Sequence, residues 1–124
     1  MIHKDATAEE AIRRNVGAGY HYFDPDTMRA FCSKVHEGYR IHDGVILLIM
    51  SNRDRFGHVL NGRRHYYLGA IMPDGAMRHL SGDYCYDLSH GSGYTMSIRS
   101  ARTWARALAE LANTSGKPLD VMPY

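Results

Sequence analysis

The chain has 124 residues, 44% hydrophobic and 23% charged, with a formal net charge of +2. This is ordinary globular usage, and it sets the chain apart from disordered, collagen-like and membrane-embedded classes. Two cysteines are too few for a disulfide framework, and the longest apolar run, Val45–Met50, is far short of the roughly 20 residues that cross a bilayer.

A chain of this length is expected to form one domain, burying roughly two-thirds of its unfolded surface without a staple. Met1-Ile2-His3-Lys4-Asp5 has no apolar leader, so the cytosol is the expected compartment. Thr7-Ala8-Glu9-Glu10 fits a capping box, with Thr7 as N-cap and Glu10 reaching back. Ala8, Ala11, Ile12 and Val16 then share a face, which predicts a helix near 8–16 stopped by Gly17. A second helix is expected near 25–35. Asp24 caps it, Pro25 takes the first helical position and Asp26 suits the positive end of the dipole. Met28, Phe31, Cys32 and Val35 follow at helical spacing.

Strand signals come next. Tyr39–His42 alternates, Asp43-Gly44 is a tight-turn dipeptide, and Val45–Met50 reads as the more buried partner strand. Residues 52–64 read as a long loop or irregular hairpin. His65–Met72 is a strand, Pro73-Asp74-Gly75 a turn, and Ala76–Leu80 returns antiparallel. Asp83–Leu88 alternates again, with His90–Gly93 as a flexible connection. Ser97 or Ser100 opens a final helix whose apolar stripe is Ala101, Trp104, Ala105, Leu108, Leu111 and Ala112. Arg99, Arg102 and Arg106 read as its solvated side, Arg106 and Glu110 are spaced as an ion pair, and Gly116-Lys117-Pro118 ends it. The order predicts a single α+β domain: an antiparallel sheet of about four to five strands, two short N-terminal helices and one C-terminal helix, with helices covering one face.

Patterns of reactive chemistry are sparse. The eight histidines form no pair at metal-ligand spacing, so no metal and no cofactor is expected. Ser89-His90-Gly91-Ser92-Gly93 lacks both a nucleophile elbow and a phosphate-loop ending. Charge is uneven. Arg53, Arg55, Arg63 and Arg64 face only Asp54 in 53–64, while Asp74, Asp83 and Asp87 face only Arg78 in 65–98. The arginines lead into Tyr66 and Tyr67. Arginine beside tyrosine suits a nucleic acid, by phosphate contact and base stacking, or a protein partner, where both are hot-spot residues. The candidate partner-binding residues are therefore Arg53, Arg55, Arg63, Arg64, Tyr66 and Tyr67, with Asp83 and Asp87 as an acidic counterpart.

The segment His21–Val35, with Phe23-Asp24-Pro25-Asp26-Thr27-Met28-Arg29-Ala30-Phe31 at its centre, resembles a family of small bacteriophage and prophage proteins that share an opening of the form FDPDTMRFF. A strand ending near Ser51, the Arg64-His65-Tyr66 strand and the alanine-rich last helix are also similar, while Ala30 stands where the family has an aromatic. The resemblance implies a phage accessory protein made in the host cytoplasm. With no catalytic motif, the expected function is non-enzymatic: inhibition of a host protein or ribonucleoprotein complex, specifically a defence system in the anti-CRISPR manner. Direct nucleic-acid binding and small-ligand binding are the alternatives, and a homodimer is compatible with the pattern.

Overall fold

A computed structural model describes residues 6–31, 33–52, 65–80 and 95–122. In chain order they form α1 (Ala6–Gly17), α2 (Pro25–Phe31), β1 (Ser33–Arg40), β2 (Ile46–Asn52), β3 (Tyr66–Ile71), β4 (Met77–His79) and α3 (Ile98–Ser115). The four strands make one sheet in the order β1-β2-β3-β4, antiparallel throughout. This is the α+β architecture that the pattern predicts. The strand expected at Asp83–Leu88 lies outside the described residues.

The helices do not share one face. Strand β2 is apolar at every position from Ile46 to Met50, and a run of that kind needs cover on both sides. Leu47 and Ile49 pack with Ala101, Ala105, Ala109 and Ala112 of α3. Ile46, Leu48 and Met50 pack with Ala8 and Ala11 of α1. The sheet is thus the middle of three layers, with α1 and α2 on one side and α3 on the other. The small alanine side chains let both helices come close. At Gly38 an added Cβ would sit 2.8 Å from the backbone nitrogen of Ala8, so β1 carries glycine where α1 crosses it.

Several boundaries move. Helix α2 ends at Phe31, and β1 begins at Ser33, where the helical spacing had predicted helix to 35. Val35 satisfies both periods, and it serves the sheet as a buried residue opposite Met50. Helix α1 already includes Ala6, and Glu10 forms ion pairs with Arg40 and Arg14. Its buried row is Ala8, Ala11 and Asn15, while Val16 is 50% exposed. Asn15 Nδ2 donates to the Gly75 carbonyl at 2.6 Å, which ties α1 to the β3–β4 turn. The α3 stripe rotates likewise: alanines 101, 105, 109 and 112 face the sheet, and Trp104 and Leu111 are 41% and 63% exposed.

Turn chemistry holds as read. His42–Gly44 is a three-residue turn with two left-handed residues, Asp43 at φ 66° and Gly44 at φ 81°, and the Ile41 N–H donates to the Val45 carbonyl. Gly75 has φ 93°, and the Ala76 N–H donates to Asp74 Oδ1. Ser97 caps α3 by accepting from the Ser100 N–H, and Gly116 closes it in the left-handed conformation. Helix α2 starts at Pro25 as expected. The exposed Asp24 carboxylate lies 2.9 Å from His21 Nδ1, and the Asp24 carbonyl accepts the Met28 N–H.

Candidate functional site

One irregularity in β1 brings a group of polar side chains together. Along a regular strand, side chains alternate between faces. In β1, Lys34 pairs with Ser51 and Val35 with Met50, but the next pair is Glu37 with Ile49. His36 is the extra residue of a β-bulge, and past it the parity switches. Lys34 stands on the α3 side because Ser51 does. Glu37 and Tyr39 also stand there, paired with Ile49 and Leu47. His36 points the same way, with Nε2 2.7 Å from Ser51 Oγ. Without the bulge, Lys34 and Glu37 would lie on opposite faces.

These side chains meet α3 along its β1 flank. Arg102 donates from Nε and a terminal nitrogen to Glu37 Oε1, each at 2.7 Å. The Tyr39 hydroxyl donates to Glu37 Oε2 at 2.7 Å. Burial resists ionisation of Glu37, yet the bonds from Arg102 and Tyr39 outweigh it and hold the carboxyl below its ordinary range. Burial, and then the adjoining carboxylate, push the Tyr39 hydroxyl up to about 12, with Arg106 opposing. Tyr66 extends the seam: its ring meets His36 edge-on at 5.3 Å and His65 at 4.3 Å, and it lies within electrostatic reach of Arg102.

The same end of the sheet anchors both charged segments. Ser51 pairs with Tyr66, so Asn52 and His65, the residues flanking 53–64, sit at neighbouring strand ends. Tyr66 and Met96 exchange two backbone hydrogen bonds, of 3.0 and 2.8 Å. That pair joins the entrance of β3 to the residues that follow 81–94. Strand β4 runs toward this end as well, since Met77 pairs with Ile71 and His79 with Gly69.

Of the candidate residues, Arg53, Arg55, Arg63, Arg64, Asp83 and Asp87 lie outside the described residues. Tyr66 is half-buried at the anchoring end. Tyr67 is a correction: it is 1% exposed, its hydroxyl lies 2.7 Å from Ser33 Oγ, and it belongs to the core on the α1 side. Consecutive strand residues point opposite ways, so only one of the two tyrosines can serve the α3 face. Sequence reasoning missed His36, Glu37, Tyr39 and Ser51, because their convergence depends on strand pairing and on the bulge.

At the other end of the sheet lies a cavity of ≈160 Å³, lined by Ile41, Val45, Met72, Pro73, Pro118 and Leu119 among others. Ligand pockets for organic molecules begin at roughly 300 Å³, so this one suits no more than a small apolar group. His42 ties that end together: its N–H donates to Asn113 Oδ1, Nε2 lies 3.0 Å from the Lys117 carbonyl and Nδ1 2.6 Å from Asp43 Oδ2. Among the described residues, no group of three His, Cys, Asp or Glu side chains could hold a metal ion, and no helix is long and apolar enough to cross a membrane. No protein-family model, curated protein or solved structure matches the chain.

Proposed function

We propose that this protein is a non-enzymatic binding module that inhibits a host macromolecular complex, acting as a small rigid plug. The observation behind this reading is the shared anchorage of the two charged segments. The basic segment 53–64 ends at His65, the acidic segment 81–94 ends at Thr95, and the Tyr66–Met96 pair holds those two ends side by side. A sheet packed on both faces gives that end a stiff base, which lowers the ordering cost of binding. Arginine and tyrosine are the residue types that dominate protein interfaces. The phage resemblance of His21–Val35 makes a bacterial defence complex of the CRISPR type the partner we favour, blocked sterically in the host cytoplasm.

The test is interference against phage in bacteria that carry an active CRISPR system and express this protein. Loss of interference with the wild-type chain, regained with Arg63→Ala/Arg64→Ala/Tyr66→Ala, is the expected result. Interference unaffected by well-expressed wild-type protein would overturn the reading.

A further inference from the structure

The flank of α3 above β1 carries more positive charge than the fold uses. Arg99, Arg102 and Arg106 stand at i, i+3 and i+7, one row about 10 Å long. Lys34 is exposed on the same side of the sheet. Two carboxylates accompany these four cations: Glu37, held by Arg102, and Glu110, one turn beyond Arg106. Arg99 and Lys34 form no ion pair with any described residue.

Arg99 also breaks a local rule. The first turn of α3 contains no acid, and Arg99 stands there against the positive end of the helix dipole. Folding alone favours Asp or Glu at that position, and a local rule broken without an internal compensation points to a demand from outside the fold. The row begins three residues after Met96, which pairs with Tyr66, and Arg102 at its middle lies within electrostatic reach of Tyr66, whose ring meets His36. Both residues are half-buried.

We propose that this face binds a single strand of nucleic acid. Arg99, Arg102, Arg106 and Lys34 contact phosphates, and an unpaired base packs on the His36–Tyr66 pair. The row supplies backbone charge, while the rings suit a base that is not already stacked in a duplex. This does not rest on the inhibitor reading, because the strand is bound here whatever partner the segments 53–64 and 81–94 take.

Fluorescence anisotropy of labelled oligo-dT and oligo-rU of about 15 nucleotides, between about 50 and 200 mM salt, tests it. Saturable binding is expected, weakening steeply with salt. Arg99→Ala/Arg106→Ala removes two phosphate contacts, so the log–log salt slope shrinks by about 1.4 and affinity at about 0.1 M salt falls roughly twentyfold. Arg99→Lys/Arg106→Lys retains most of the binding. Arg99 is exposed and Arg106 faces Glu37 and Tyr39, so each variant's circular-dichroism melt is compared with the wild type, and if the alanine pair melts early, Arg99→Gln/Arg106→Gln is measured in its place. No saturable binding at about 50 mM salt, an unchanged affinity and slope in the double variant, or a duplex bound as tightly as the strand would each overturn the proposal.

Discussion

Glu37 shows how a single side chain organises the seam. It accepts from Arg102 on one oxygen and from Tyr39 on the other, so it joins β1 to α3. Glu37→Gln keeps the shape and removes the charge. Hydrogen bonds to charged groups are worth more than neutral ones, and the expected loss is roughly 1–2 kcal/mol in urea unfolding. The same variant makes Tyr39 easier to ionise, but burial is the larger cause of its shift. Its ultraviolet titration midpoint should therefore fall from about 12 without returning to the ordinary value of 10.0. A midpoint unmoved by Glu37→Gln would mean that the carboxylate does not reach the hydroxyl. Tyr67 is the counterexample one residue from Tyr66. Its buried hydroxyl, raised well above the usual tyrosine value chiefly by burial, serves the core and not a partner.

At the scale of elements, the β1 bulge and the close crossing of α1 carry the architecture. Gly38→Ala places a Cβ 2.8 Å from the Ala8 nitrogen and 3.0 Å from the Thr7 carbonyl carbon, both backbone atoms that cannot swing aside. Helix α1 has to lift, and a destabilisation of roughly 1–3 kcal/mol is expected by urea unfolding. A neutral or stabilising result would show that α1 does not pack on β1 as described. Much of this level was legible in the chain. Asp43-Gly44, Pro73-Asp74-Gly75, Ser97 and Gly116 set their turns and caps through local backbone preferences, and local preferences survive in any context. The boundary between α2 and β1 was not legible, because Val35 fits a helical row after Phe31 and an alternating row after Ser33 equally well. Only pairing with Met50 decides it. The bulge was hidden for a related reason: an extra residue becomes visible only when the partner strand is laid beside it. The same holds for the seam built on it, whose members are 65 residues apart at Glu37 and Arg102.

At the scale of the whole molecule, the sheet is buried on both faces and its two inner strands, β2 and β3, dominate the core. Leu48, fully buried on the α1 side, should cost roughly 2–5 kcal/mol when replaced by alanine. The titrating groups bound the stable pH range from both sides. Burial lowers His79, so its contribution is present above its ordinary value of 6.5 and lost as pH falls through its folded value. The lowered carboxyls of Glu10, held chiefly by its hydrogen bond with Arg40, and of Glu37 behave alike below the ordinary 4.5. Tyr39 and Tyr67 are raised, so what they contribute is present below 10.0 and is lost as pH climbs through their folded values, about 12 for Tyr39. Thermal melts across pH should show a plateau between about 7 and 10 with losses on both flanks; a Tm still rising above pH 10 would contradict it. The function proposed for this molecule depends on that stiff sheet presenting one end, around Tyr66 and Met96, to a larger partner. The most direct measurement is size-exclusion chromatography of the purified protein with a purified CRISPR effector complex, alongside the Arg63→Ala/Arg64→Ala/Tyr66→Ala variant. Co-elution of the wild type and its loss in the equally well-folded variant are predicted. Separate elution of the wild type, or co-elution indifferent to the three substitutions, would contradict the account.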